Sequence, residues 1–134
     1  MTDQAPLVKK LTADADAVAK GSDGSIAVGP APFAGKVTSV TVTPPSTLTG
    51  ANTNSRTLKL INKGQSGSGT NVIAEKAFTS GVNATAFDET ALTLSGTASK
   101  LEVAEGDVLA LESVHVGEGL ADPGGEVQVK ITRA

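Results

Sequence analysis

From Ser25 to the C-terminus, apolar residues recur at every second position, and short clusters of Gly, Pro, Asn and Asp break the pattern at short intervals. A period of two places alternate side chains on one face of a strand, so this stretch reads as a series of half-buried β-strands. The last strand is the clearest: Val127, Val129 and Ile131 alternate with Gln128, Lys130 and Thr132. Earlier strands are expected around Ile26 and Val28, from about Gly35 through Val42, and over about Ser55 to Asn62. Others carry Val72, Ala74 and Phe78, then Leu92 and Leu94, then Leu101 and Val103. Val108 to Val116 is almost continuously apolar up to Glu112, the pattern of a strand covered on both sides. Pro44-Pro45, Gly81-Val82-Asn83, Ser95-Gly96, Glu105-Gly106-Asp107 and Asp122-Pro123-Gly124-Gly125 supply the turns.

About eight short strands without intervening helices define an all-β chain, an antiparallel β-sandwich with a jelly roll as the leading arrangement. No repeat with a period of a few dozen residues is visible. The 134 residues suit one such domain, placed at 25–134.

The first 24 residues follow a different rhythm. Leu7, Val8, Leu11, Ala15, Val18 and Ala19 recur at spacings of three and four, and Ala13 to Lys20 is rich in alanine. That spacing predicts a short helix, too short to be stable alone in water. Gly21-Ser22-Asp23-Gly24 reads as a hinge. Residues 1–24 are therefore expected to form a flexible N-terminal arm that orders against a partner. Leu7, Val8, Leu11 and Val18 are its candidate contact residues, the alternative being a helix folded back onto the chain's own sandwich. On this reading, removal of residues 1–24 leaves the domain folded.

Composition removes several kinds of chemistry. The chain has no Cys, Trp or Tyr, one His and three Phe, and its formal net charge is −3. Without Cys there is no disulfide framework, thiolate metal site or cysteine nucleophile. A mildly acidic chain with no aromatic platform is not suited to nucleic acid. No apolar run approaches the roughly 18–20 residues of a membrane span, and no apolar leader follows Met1.

The remaining motifs are weak. Gly64 to Thr70 resembles a phosphate loop superficially, but Gly69 is followed by Thr70 rather than Lys, and a strand rather than a helix comes next. It reads as an exposed hairpin loop. His115, with Ser113 two residues away on the same strand face, has the elements of a base and nucleophile but no third partner that a sequence can supply. A strand-end or interface histidine is the simpler reading. Asp88-Glu89, Glu105 with Asp107, and Asp122 with Glu126 lie at turns where calcium ligands collect, yet none follows an EF-hand loop. A glycosidase carboxylate pair would lack the Trp or Tyr that sugars stack on. Asn83-Ala84-Thr85 matches a glycosylation sequon without a secretory leader to accompany it. No catalytic residue, cofactor or metal is expected, and the chain does not read as an enzyme.

Two stretches carry a family resemblance. One is Gly50-Ala51-Asn52-Thr53-Asn54-Ser55-Arg56-Thr57-Leu58, continuing through Leu60-Ile61-Asn62-Lys63-Gly64. The other is Val103-Ala104-Glu105-Gly106-Asp107-Val108-Leu109-Ala110, with His115 to Gly125 and the last strand. Together they resemble small head proteins of tailed bacteriophages, particularly those of actinobacterial hosts, which decorate the capsid shell. The resemblance covers about Ala31 to Ala134. It implies a non-enzymatic decoration or cement protein of the virion, made in the host cytoplasm and bound to the outer capsid surface. The partner it implies is the major capsid protein, with homo-oligomers, trimers in particular, as the expected assembly. A head or tail fibre domain that recognises host-surface glycans is the alternative, with the loops Ser46–Asn54 and Gly64–Asn71 as its sugar-facing candidates.

Overall fold

The structure, a computed structural model, describes residues 7–134. Ten strands follow in order: β1 (Val8–Ala15), β2 (Gly24–Pro30), β3 (Gly35–Thr43), β4 (Ser55–Asn62), β5 (Asn71–Phe78), β6 (Thr90–Ala91), β7 (Thr93–Leu94), β8 (Glu102–Val103), β9 (Val108–Val116) and β10 (Gly125–Arg133). A 3-10 turn, Ala98–Leu101, precedes β8, and no α-helix occurs among the described residues.

The strands build two antiparallel sheets. One runs β1-β10-β3-β6, with β8 also paired to β3; the other runs β2-β9-β4-β5-β7. Successive strands thus alternate between sheets until β4 and β5, and the chain then returns through β9 and β10 into the middle of each sheet. That order is a jelly roll, two interleaved Greek keys. The sixth jelly-roll strand is split: β6 and β8 hold its two ends on β3, while β7 between them crosses to pair with β5.

The alternating residues supply the core. Val127, Val129 and Ile131 of β10 are fully buried, facing Leu58, Leu60, Leu109 and Leu111 from the opposite sheet in one aliphatic cluster. Phe33 and Phe78 join it. β9 lies between β2 and β4, which explains its nearly continuous apolar run. Leu109 and Leu111 face the core, while Ala110 is buried on the outer face beside Ile61 and Ala27.

The N-terminal segment departs from expectation. Val8–Ala15 is a strand, not a helix, and it pairs with β10 without a break from Val8↔Thr132 to Ala15↔Gly125. Leu11, Ala13 and Ala15 face inward onto the core. Leu11 and Ala15 satisfy both periods while Val8 fits only the helical one, and the sheet prevails because the open edge of β10 offers a full row of backbone partners. A short isolated helix has nothing comparable to offset its nucleation cost. Past β1, Val18 bridges to Asp122 with reciprocal backbone bonds of 2.9 and 2.8 Å. Residues 8–24 therefore belong to the sandwich, and the boundary expected at 24/25 does not separate an arm from a domain. Gly124 permits this closure: its φ is +77°, and a Cβ there would strike the carbonyl oxygen of Ala15.

Candidate functional site

Antiparallel alternation sends four connections to one end of the sandwich: residues 16–23, 44–54, 79–89 and 117–124. They brace one another. Leu48 and Ala84 exchange backbone bonds, Asn83 Oδ1 accepts from Gly50 N at 2.9 Å, and Thr47 Oγ1 accepts from Ala86 N at 3.0 Å. Asn52 Oδ1 accepts from Ser80 N, and Asn54 Oδ1 from Glu118 N at 2.9 Å. Short polar side chains bonding to backbone amides in this way convert loops into a fixed surface.

Beneath that end lies Arg56, fully buried. It shares the inward face of β4 with Leu58 and Leu60, so the strand's own alternation carries a guanidinium into the interior. Every arm of the fork is occupied. Nε donates to Leu120 O at 2.6 Å, Nη1 to Ser113 Oγ at 2.9 Å, and Nη2 to the carbonyls of Ala19 and Ser22 at 3.2 and 3.0 Å. Ser113 in turn donates to Asp122 Oδ2 at 2.6 Å, and Asp122 Oδ1 accepts from Gly124 N at 2.8 Å. One buried cation thus joins β4, β9 and the 16–23 and 117–124 connections. The motif stretch containing Arg56 carries no sign of this role; the one available signal is its phase with Leu58 and Leu60.

His115 sits beside this cluster without entering it. Its Nδ1 is 2.6 Å from Asp23 Oδ1, and the same oxygen accepts from His115 N at 2.9 Å. The backbone bond, and then the ring contact, hold the Asp23 carboxyl below the usual carboxylate range. Ser113 and His115 make no hydrogen bond to each other. The serine proton is directed at Asp122 and its lone pair at Arg56, so no base is positioned to activate it. A cleft of about 330 Å³ opens where β1 and β2 diverge, lined by Val18, Asp23, Ile26, Ser113 and Asp122 among others. Of its polar walls, Asp23, Ser113 and Asp122 are already engaged in the contacts that hold the connections together.

The carboxylates singled out in the sequence are dispersed. No group of three His, Cys, Asp or Glu side chains able to hold a metal occurs among the described residues. Asp107 is occupied by local donors: Oδ2 accepts from Ala104 N at 2.8 Å and Asn62 Nδ2 at 3.0 Å, and Oδ1 from Gln65 Nε2 at 2.7 Å. Burial pushes its pKa up, but those three donors outweigh it and hold the group below the usual carboxylate range. A carboxylate depressed on folding contributes stability above its unfolded pKa and loses it as pH falls through the folded value. Acid titration of the melting temperature is therefore expected to show a loss beginning at about pH 4. The variant Asp107→Asn, whose single amide group must set a donor either against Gln65 Nε2 or against Asn62 Nδ2 and Ala104 N, is expected to lose about 1–2 kcal/mol at neutral pH and to flatten that acid limb. An unchanged acid limb in the variant would assign the effect to other carboxyls.

Two large apolar side chains are exposed at the braced end, Val116 at the close of β9 and, far more fully, Phe87. Phe87 is 81% exposed and has φ +58°, a left-handed conformation rarely taken by a bulky L-residue. Its N–H donates to Pro44 O at 2.8 Å, and with Pro44, Pro45 and Pro123 it lines a shallow depression. Thr53, the other non-glycine residue at positive φ, lies at the same end. Phe33 and Phe78, by contrast, are buried. Composition alone could not separate these three phenylalanines.

The sequence-predicted contact residues fall into two groups. Leu7 and Val8 are 49% and 51% exposed, at the end of the sandwich opposite Phe87. Leu11 packs on the core, and Val18 is half-buried against Gly24. The Gly64–Thr70 segment is the loop between β4 and β5, as its glycines suggest.

Strand order and burial define the molecule as a jelly-roll domain with a braced, aromatic-bearing loop end. No protein-family model matches the chain, and no curated protein matches it. Solved structures with matching chains include infectious bursal disease virus, Gx strain, at 14% identity and a TM-score of 0.46, over 96% of this chain and 32% of that one. A chain of the T13 IBDV viral particle is similar at 16% identity and a TM-score of 0.45, over 95% of this chain and 31% of that one. This chain spans about a third of the length of either. The jelly-roll assignment rests on the strand order itself.

Proposed function

We propose that this protein is a structural component of a virion that binds the outer surface of a capsid shell as a decoration or cement protein, its partner the major capsid protein. The observation that carries the reading is Phe87, an exposed aromatic held in a strained conformation on a rigid loop platform. Backbone strain concentrates where function requires it, and rigid aromatic anchors carry much of the energy in protein interfaces. The resemblance to phage head proteins supports the same reading, since its two stretches fall on β4 and β9 and the connections around them. Jelly rolls serve in capsids and lectins alike, so the fold alone does not choose between them. The role needs no chemistry: the Ser113 hydroxyl and the Arg56 guanidinium are committed to holding the loops. Leu7 and Val8 form a second candidate contact at the opposite end.

The test is co-sedimentation of the purified protein with capsid shells that lack it, comparing the natural chain with Phe87→Gly. Glycine accepts φ +58° without penalty, so the variant is expected to match or exceed the natural melting stability, by up to about 1 kcal/mol. Saturable binding by the natural chain, weakened roughly tenfold or more in the variant, is the expected result. No binding of the natural chain to immature or expanded shells would overturn the reading. Selective retention on a glycan array would instead favour the sugar-binding alternative.

A further inference from the structure

We propose that the free edge of β1 is a homodimer seam, in which two copies pair β1 with β1 antiparallel about a two-fold axis centred on Thr12. This inference does not depend on capsid binding. β1 is the outermost strand of its sheet, and among the described residues it pairs only with β10. Arg133 N donates to Leu7 O at 2.8 Å, in register with the β1–β10 ladder. Hydrogen-bonded pairs alternate along an antiparallel ladder, so the odd residues of β1 bond to β10. Val8, Lys10, Thr12 and Asp14 then turn their N–H and C=O groups toward the open edge. All four side chains are exposed, and the strand contains no proline and no bulge.

The charges select both the partner and the register. On the outer face Lys10 lies directly opposite Lys130, and Asp14 directly opposite Glu126. Like charges facing across a ladder are destabilising, and this pair of strands carries one such pair of each sign. Lysines on an edge strand ordinarily repel a second strand. Here an antiparallel copy centred on Thr12 places its Asp14 against Lys10 and its Lys10 against Asp14. Each row across the seam then reads two cations followed by two anions, with Thr12 facing its symmetry mate between the rows. Lys9 falls opposite Ala15, so no charged residue of the strand meets its own sign across the seam. Shifting the centre to Leu11 would set Lys10 against Thr12 and Asp14 against Val8, losing both ion pairs. Such a contact is isologous and closes at two copies.

Sedimentation velocity on the full chain tests the seam. The natural protein is expected to show a concentration-dependent monomer–dimer equilibrium that weakens with salt. Lys10→Glu sets the introduced carboxylate against Asp14 twice in a homodimer, and Asp14→Lys sets the introduced ammonium against Lys10 twice. Each variant alone is expected to dimerise at least roughly tenfold more weakly. Mixed in equal amounts, the two variants bring the introduced carboxylate of one against the introduced ammonium of the other. The remaining Asp14 of the first then meets the remaining Lys10 of the second, so the dimer is expected to return in the mixture. Both substitutions are at exposed positions and each relieves a like-charge pair with β10, so folding, followed by circular dichroism, is expected to be unaffected. A natural chain that stays monomeric wherever it is soluble, or forms trimers, would overturn the proposal. So would a dimer indifferent to both substitutions, or two variants that fail to recombine.

Discussion

A chain lacking residues 1–24 is expected to lose its cooperative fold, where an accessory arm would leave the melting transition intact. The deletion removes β1 and with it the inward contacts of Leu11, Ala13 and Ala15, uncovering the edge of β10 at Val127, Val129 and Ile131. It also removes the carbonyls of Ala19 and Ser22, two of the four acceptors of the buried Arg56. Covering one large and two small apolar side chains is worth a few kcal/mol, and leaving a buried guanidinium partly unpaired costs a similar amount. The sum, on the order of 5 kcal/mol, is comparable to the whole stability of a typical domain, roughly 5–15 kcal/mol. Thermal melts and urea titrations of residues 25–134 against the full chain measure it. A truncated chain within about 1 kcal/mol of the full chain would return these residues to the status of an arm.

Arg56→Ala is expected to cost about 3–5 kcal/mol, lowering the melting temperature by roughly 10–20 °C. The loss combines an interior void with the stranded carbonyls of Ala19, Ser22 and Leu120. Arg56→Lys keeps the charge, but an ammonium on a flexible stem cannot reproduce the fork that reaches four acceptors, so an intermediate loss is expected. Limited proteolysis gives a second readout. Cleavage within residues 16–23 and 117–124 should accelerate in both variants, because the guanidinium is what ties those connections to β4. A loss below about 1 kcal/mol for the alanine variant would mean that water can satisfy the same carbonyls.

The two interior groups differ in how visible they are to a reader of the sequence. Val127, Val129 and Ile131 announce their strand because a half-buried strand imposes a period of two on its own residues. Arg56 obeys that period as well, yet a charged residue at an inward position is ordinarily taken for a strand end. Its burial depends on carbonyls contributed from Ala19, Ser22 and Leu120, which are remote in sequence. Phe87 presents the converse case. A lone phenylalanine between Ala86 and Asp88 reads as a core residue, and only its backbone angle and its place on the braced loops reveal that it faces solvent.

Local pattern by itself determined the all-β class, the positions of most strands, the turns and the aliphatic core of this protein. Those properties follow from alternation and turn chemistry, which act between residues close in sequence. Tertiary structure decided the rest. Within residues 8–15, Leu11 and Ala15 fit a helical and a strand period alike, and the open edge of β10 settled the choice by offering backbone partners that no local interaction could match. The jelly-roll order, the coupling of Arg56 to two distant connections, the exposure of Phe87 and the like-charge pairs along β1 all arise from residues far apart in sequence. Each exists only once the sheets have closed.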